Sequence, residues 1–315
     1  MKFYPDSINE ILNKIVSSEL PYDQTIVIGD NSSGKSLLLH LLVNSQKDRR
    51  AVYFIDAVNR VFDVTKITND RNKPEYKTTI VNTRVLEEFF NLKDSFNCFG
   101  TLTERIEQIY SVYEDEVQGL FESLTHDRFQ VIYGDALGEV KYEGGNGLLS
   151  SGYQAMIRLI LELLYYQDMG IARQDLAEAW VVIDEIDEFL SPRYAAKILS
   201  FLREHFPQMR FIVTTHSIDL VVSAVDSNLV VLGANGYEVI DSNDYNSVSE
   251  VQMIFQKVFG KTEMQKTEVE EVLRRLLNNK INQAWSKEDE ETLNQLQNSR
   301  LTASQKLICR QIVEW

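Results

Sequence analysis

Two spacings of apolar residues alternate along this chain: short β-branched runs, and steps of three to four residues. Ser7 to Ser17 places Ile8, Ile11, Leu12 and Ile15 on one face and predicts an amphipathic helix. The run Thr25 to Ile28 predicts a buried strand, followed by a glycine-containing loop and the apolar helical stretch Leu37 to Val43. Val52 to Ile55 predicts a second strand, Lys66 to Tyr76 a surface loop, and Thr79 to Val81 a further short strand. From Val85 to Leu124 the pattern turns helical, with Ile106, Ile109, Tyr113, Val117, Leu120 and Leu124 forming one stripe. Two helices of about 20 residues fit that span. Phe129 to Tyr133 and Val140 to Tyr142 predict a hairpin. The turn Gly144 to Gly147 then leads into a buried apolar helix that opens at Leu149 to Gln154.

Two apolar strands follow. Trp180 to Ile183 ends in Asp184-Glu185, and Phe211 to Val213 ends in Thr214-Thr215-His216-Ser217. Ser191 and Pro192 open the helix between them as N-cap and first helical residue. Val230 to Leu232 and Tyr237 to Ile240, joined through Asn235-Gly236, predict a terminal hairpin. The last ~55 residues read as polar helices carrying one apolar stripe: Val269, Leu273, Leu276, Leu277 and Ile281. Trp285, Ile308, Ile312 and Trp315 are further anchors there. The whole predicts an α/β fold with a mixed, largely parallel sheet between helices. A domain over 1–260 would carry an inserted helical lobe at about 85–150, and 261–315 would form a C-terminal helical extension.

Composition narrows the class without deciding it. The chain has 315 residues, 44% hydrophobic and 25% charged, ordinary for a globular protein. No apolar run reaches membrane-spanning length, since Arg158 and Glu162 interrupt the best one. The sequence MKFYPDSINE has no apolar core after its lysine, so a secretory signal is not expected. Cys98 and Cys309 have no metal-ligand spacing, which makes a reducing cytoplasm the expected setting, with no membrane partner. Net charge is −15. Residues 261–315 hold nine basic and nine acidic side chains, so the excess rests on 1–260. Such a surface repels phosphate backbones, and any DNA contact would need a local basic patch. Gln46-Lys47-Asp48-Arg49-Arg50 is the tempting one, although it suits a solvated turn between helix and strand better.

Gly29-Asp30-Asn31-Ser32-Ser33-Gly34-Lys35-Ser36 matches G-x-x-x-x-G-K-[ST] after a strand and opening a helix, the context that motif requires. Glycine lets backbone N–H groups converge on phosphate oxygens, and the helix N-terminus through Leu37 adds positive potential. Lys35 would meet the β- and γ-phosphates, and the Ser36 hydroxyl would ligate Mg²⁺. ATP with Mg²⁺ is the implied ligand. At the end of the acidic strand, Asp184 would reach the metal shell, usually through water. Glu185, pointing elsewhere, would act as general base on an attacking water. His216 ends the next strand at the carboxyl edge, where open α/β sheets bind ligands, and would hydrogen-bond the γ-phosphate.

Leu149-Ser150-Ser151-Gly152-Tyr153-Gln154 decides between kinds of phosphate-loop protein. A serine-rich helix N-terminus is a second anion site, and one nucleotide has little use for two in a single chain. Two copies arranged head to tail would close each nucleotide between one chain's loop and the other's helix end. An ordinary N-cap at Ser150 or Ser151 is the competing explanation. The order phosphate loop, LSSGYQ, VVIDEID, TTHS resembles the ABC-type ATPase superfamily, above all its soluble branch of SMC, RecF-like and OLD-family ATPases.

That resemblance implies an ATP-sandwiched homodimer in which Ser150 and Gly152 touch the γ-phosphate of the partner's nucleotide. It also implies Glu185 as catalytic base and His216 as the switch histidine. Tyr153 and the second serine depart from the transporter signature LSGGQ. Asp187-Glu188-Phe189-Leu190-Ser191-Pro192 stands in place of the transporter D-loop and is similar to the E-x-x-L-H-P stretch of OLD-like defence ATPases. No glutamine follows the Val52 to Ile55 strand, only Asp56 and Asn59, so the residue that signals between lobes is unassigned.

The expected function is a soluble ATPase whose ATP-driven dimerisation gates a separate effector, a nuclease or toxin, in antiphage defence or DNA repair. No second catalytic constellation is visible in the chain itself. A transporter's nucleotide-binding subunit and a non-hydrolysing ATP-sensing scaffold are the alternatives. The missing glutamine and D-loop aspartate weigh against the first, and Glu185 weighs against the second. The C-terminal extension suits either a docking arm or a cap on the head.

Overall fold

The computed structural model describes residues 5–58, 60–69, 71–72, 79–86, 90, 106–133, 138–142, 145–146, 149–172, 176, 178–233, 236–245 and 248–258, and beyond these 272–273, 275–276, 279–280, 285–297, 309 and 312. The chain divides into two compact units, Met1–Val258 and Phe259–Trp315. Asn59, Pro74, Cys98, Gly144, Gly147, Asn235, Val269, Leu277, Ile281, Ile308 and Trp315, which entered the expectations above, lie outside the described residues.

Helix α1 (Pro5–Val16) buries Ile8, Ile11 and Ile15 and leads into β1 (Gln24–Gly29), every residue of which is buried. The loop then opens α2 (Lys35–Ser45), and β2 (Val52–Ile55) follows. Strands β6 (Ala179–Ile183) and β7 (Met209–Thr214) flank α6 (Pro192–His205), with Ser191 and Pro192 at its start as the sequence requires. Short α7 (Ile218–Ser223), β8 (Ser227–Gly233), β9 (Gly236–Asp241) and α8 (Val248–Val258) complete the unit. The main sheet has the order β2-β6-β7-β1-β8-β9. Its pairs are parallel except for the β8–β9 hairpin. This is the expected α/β class. Continuous apolar runs rather than alternation mark strands covered on both faces.

Between β2 and β6 the outcome is mixed. Thr79 to Val81, expected as a strand, instead opens the helix α3 (Thr79–Arg84). Ile80 and Val81 are buried on it, and the helical turn delivers Arg84 to an ion cluster in the core, a tertiary demand that outweighs the β-branched composition. Of the long helical span expected from Val85 to Leu124, residues 87–89 and 91–105 lie outside the described residues. The remainder is a 3₁₀ turn, Ile106–Val112, followed by α4 (Glu114–Thr125), 12 residues in place of about 20. Glu114, Asp115 and Glu116 in its first turn favour a helix start there. The hairpin is present and gains a strand: β3 (Phe129–Tyr133), β4 (Gly138–Tyr142) and β5 (Gly145–Asn146) form an antiparallel sheet.

Helix α5 (Ser151–Tyr165) is buried on nearly every side, Arg158 and Glu162 included. The Glu162 carboxylate accepts from Arg84 Nη1 at 2.8 Å, Arg84 Nη2 at 3.1 Å, Arg158 Nε at 2.8 Å and the Tyr53 hydroxyl at 2.9 Å. Burial alone would raise this carboxyl; the two guanidinium charges overcome that and hold it below the usual glutamate range.

In the second unit, Leu273, Leu276, Leu293, Cys309 and Ile312 form a small core, with Val272, Trp285 and Leu296 packed on it. The helix Lys287–Gln297 starts at a reciprocal cap. Ser286 Oγ accepts from the Asp289 N–H at 3.2 Å, and Asp289 Oδ2 accepts from the Ser286 N–H at 2.9 Å.

Candidate nucleotide site

β1 is central, so its loop leaves the sheet between β7 and β8 at the carboxyl edge. Ser32 (φ 65°) and Gly34 (φ 99°) both adopt the left-handed conformation that bends the loop back over the strand. A methyl group on Gly29 would strike the Ser33 hydroxyl and come within 2.9 Å of the Leu232 carbonyl oxygen, so the first glycine is fixed by space. Lys35 is buried and folds across the loop, donating to the carbonyls of Gly29 at 2.8 Å and Asp30 at 3.3 Å. Ser33 Oγ is buried without a hydrogen-bond partner among the described residues. An orphaned hydroxyl and a helix N-terminus on one small loop suit a phosphate group. Asn31 and Ser32 are exposed on that loop, and Leu37 is 39% exposed in the first turn of α2.

The acidic strand is separated from β1 by β7, and the end of β7 fills the gap. Ser36 Oγ lies 3.2 Å from Asp184 Oδ2. Thr214 Oγ1 donates to Asp184 Oδ1 at 2.5 Å and accepts from the Glu185 N–H at 2.7 Å. A serine hydroxyl beside a carboxylate is an oxygen donor set suited to Mg²⁺, with room for waters in its shell. Among the described residues no group of three or more His, Cys, Asp or Glu side chains is placed to hold a metal ion, here or elsewhere.

Glu185 is half-exposed and carries φ 51°, a left-handed backbone that glutamate adopts at a cost of order 1–3 kcal/mol. Burial, and then the charge of Asp184, push its carboxyl above the ordinary range, with Lys35 pulling the other way. His216 Nε2 lies 4.0 Å from Glu185 Oε1. Burial, and then Lys35, lower the imidazole, which is therefore neutral at physiological pH. Burial also lowers the Lys35 ammonium, opposed by Asp184, Glu185 and Asp30. Glu185 and His216 thus meet at one edge, with Lys35 and the Ser36–Asp184 pair acting on them.

Ser150 caps α5, accepting from the Tyr153 N–H at 3.3 Å. Ser150 and Ser151 are exposed and Gly152 is partly so. Among the described residues no hydrogen bond or ion pair joins Ser150–Gly152 to the loop Gly29–Leu37. A Cβ on Gly152 would come within 2.8 Å of the Phe189 carbonyl oxygen, so the helix start and the turn after the acidic strand are in backbone contact. Phe189 itself has φ 65° and is 52% exposed. Tyr153, the departure from the transporter signature, stacks edge-on against Phe121 at 5.0 Å and donates to Asp127, tying the helix start to α4 and the turn after it.

Sequence reasoning missed Arg60 and did not single out Thr214. Arg60 is buried and donates to the Asp56 carbonyl at 2.8 Å and the Asp184 carbonyl at 2.9 Å. No periodicity marks it; an arginine just past a buried strand, facing an acidic strand end, is the only sequence signal. The basic run near α2 is a turn, as its alternative reading had it. Arg49 caps α2 by donating to the Val43 carbonyl at 2.5 Å, and Arg50 pairs with Asp48 at 2.6 Å. Among the described residues no helix is long and apolar enough to cross a membrane.

A family described as "AAA domain, putative AbiEii toxin, Type IV TA system" matches residues 46–223, more than half of the chain. That span holds LSSGYQ, the acidic strand and His216, with the phosphate loop just upstream. Septu protein PtuA from Bacillus thuringiensis is 32% identical over 149 residues, 45% of this chain and 33% of the relative. Septu protein PtuA from Bacillus mycoides is 31% identical over 152 residues, 46% of this chain and 21% of the relative. The matched segment therefore spans a third or less of these curated relatives. The SMC head domain from Thermotoga maritima aligns with a TM-score of 0.31 at 19% identity, over 43% of this chain and 50% of that one.

Proposed function

The chain belongs to the AAA-domain family described as "putative AbiEii toxin, Type IV TA system", and on that premise we propose that it binds and hydrolyses ATP between two copies of itself to control a separate effector. The observation that carries this reading is the convergence of Lys35, the Ser36–Asp184 pair, Glu185 and His216 on the carboxyl edge of one sheet. The phosphates of ATP lie along the loop Gly29-Asp30-Asn31-Ser32-Ser33-Gly34 and the first turn of α2, with the Ser33 hydroxyl as an added donor. Lys35 leaves its loop carbonyls for the β- and γ-phosphate oxygens. Magnesium, when bound, neutralises phosphate charge, and Ser36 with Asp184 are the residues that hold it.

Glu185 accepts a proton from the water that attacks the γ-phosphorus, while the bond from phosphorus to the β–γ bridging oxygen breaks. Its raised carboxyl makes it a stronger base than a surface glutamate. Neutral His216 donates to a γ-phosphate oxygen and senses its departure.

The exposed Ser150 and Ser151 and the partly exposed Gly152, at the start of a 15-residue helix, support a second role for this surface. They close on the nucleotide of the partner copy and complete the site only when two chains meet. The defence-type resemblance of the motifs supports a toxin or nuclease as the gated effector in antiphage defence. Bulk charge of −15 argues against DNA as a surface-wide ligand.

The test is light scattering on size exclusion with Glu185→Gln, with and without ATP and Mg²⁺. An ATP-dependent doubling of mass, abolished by Ser150→Arg, is the expected result. A monomer that binds ATP and never doubles would refute the dimer, and a Glu185→Gln protein that turns ATP over like its parent would refute the base.

A further inference from the structure

The peptide unit joining Asp184 to Glu185 is held at both of its poles. Arg60 Nη2 donates to its carbonyl at 2.9 Å, and its N–H donates to Thr214 Oγ1 at 2.7 Å. Rotation of this peptide is what would carry Glu185 out of its left-handed conformation, and both hydrogen bonds oppose that rotation. Arg60 is itself tied to the end of β2 through the Asp56 carbonyl at 2.8 Å. The adjacent residue continues the chain of contacts, because the Val61 carbonyl accepts from Arg158 Nη1 at 3.0 Å. Arg158 belongs to α5, the helix whose start carries Ser150–Gly152, and is locked there by Glu162. Two neighbouring residues, Arg60 and Val61, thus join the helix that would meet the partner's nucleotide to the backbone of the base.

We propose that Arg60 is a positioning residue that couples the placement of α5 to the orientation of Glu185. It does the work for which the sequence after β2 supplies no glutamine. The proposal rests on Glu185 being the base and on Ser150–Gly152 being the surface that closes on ATP. A partner nucleotide pulling on α5 would shift Arg158, Val61 and Arg60 together and set the Asp184–Glu185 peptide for reaction.

The experiment compares the full-length parent with Arg60→Gln, Arg60→Lys, Arg158→Lys and the Arg60→Gln/Arg158→Lys double variant. Kd for a fluorescent ATP analogue, kcat and KM for ATP, and amide hydrogen exchange over residues 184–188 are measured for each. Arg60→Gln is expected to keep Kd within about threefold while kcat falls on the order of ten- to a hundredfold, since misorientation acts on the chemical step. Arg60→Lys, with its donors on a single atom, falls between the two. The double variant falls no further in kcat than Arg60→Gln alone, because both act on one path. Exchange over residues 184–188 quickens in Arg60→Gln whether or not the protein turns over.

Parental kcat in a folded Arg60→Gln overturns the proposal, as do a Kd that collapses together with kcat and additive losses in the double variant. If Arg60→Gln does not fold, parental kcat and parental exchange in Arg60→Lys overturn it instead. A parent without turnover refutes the proposed function, and the exchange measurement still decides whether Arg60 holds the peptide.

Discussion

Replacing Glu162 by glutamine keeps the shape of a fully buried side chain and removes the carboxylate that pairs with both Arg84 and Arg158. The carboxylate accepts four hydrogen bonds, three from guanidinium groups. A glutamine amide offers one acceptor oxygen and turns two donors toward donors. Breaking a buried ion pair by deleting one partner costs about 3–5 kcal/mol, and the partner deleted here is shared by two guanidinium groups. At about 2 °C per kcal/mol for a unit of this size, the melting temperature should drop roughly 6–10 °C at pH 7. Differential scanning calorimetry across pH adds a signature. The Glu162 carboxyl is held below its ordinary value of 4.5, so its contribution is present above that pH and lost as pH falls through the depressed value. Parent and variant curves should therefore run parallel near neutrality and converge only in acid. A triple replacement of Glu162, Arg84 and Arg158 by Met and Leu should recover most of the loss. A single Glu162→Gln variant melting within about 2 °C of the parent would refute the account of a charge-compensated core.

Glu185→Gln should behave in the opposite sense. Its carboxyl is raised in the fold, so the charged form is disfavoured; the variant should melt higher than the nucleotide-free parent near pH 8, with the gain fading as pH falls toward 4.5. In the parent, kcat should fall on the acid side along a limb lying above 4.5, the value of an ordinary glutamate. Gly152→Ala gains about 1 kcal/mol of helix propensity, but overpacking against the Phe189 carbonyl costs about 1–3 kcal/mol, so a lower melting temperature is expected. ATP-dependent mass increase should weaken with it in light scattering, and an unchanged dimer would count against Gly152 lying at the interface. Thr214→Val leaves the Glu185 N–H without its acceptor and removes the hydrogen bond to Asp184 Oδ1, and should raise the Mg²⁺ concentration needed for half-maximal turnover several-fold.

The parts legible in the sequence are those where local pattern and tertiary role agree. β1, β6 and β7 are apolar runs of strand length that end in polar chemistry, and the sheet places those ends side by side. Thr79–Arg84 was illegible because a three-residue β-branched run carries little information, while the demand that decided it, a partner for Glu162, lies 78 residues away. Arg158 and Glu162 read in sequence only as interruptions of an apolar run. Spaced four apart on a buried helix they form a pair that calls for a third charge, and that inference was available. The turn Ile106–Val112 escaped because steps of three fit a 3₁₀ turn as well as an α-helix. Arg60 lies in a segment with no repeat to read, and its importance comes from the two carbonyls that β2 and β6 bring within its reach.

The central place of β1 has a consequence for how the protein comes to be made. β1 ends at Gly29, yet both of its neighbours lie beyond residue 208. A ribosome adding about 5–20 residues per second needs roughly 9–36 s to travel from one to the other. Throughout that interval a wholly buried strand has no edge to pair with, and β2 waits in the same way for β6. Nascent chains stalled before β7 would therefore display Thr25–Ile28 as bare apolar backbone, a natural substrate for chaperones and a seed for aggregation. The same topology acts as a check on completeness. Ser36 and Asp184 cannot meet until β7 has been inserted between their strands, so the proposed metal site is assembled only in a chain that has β7 in place.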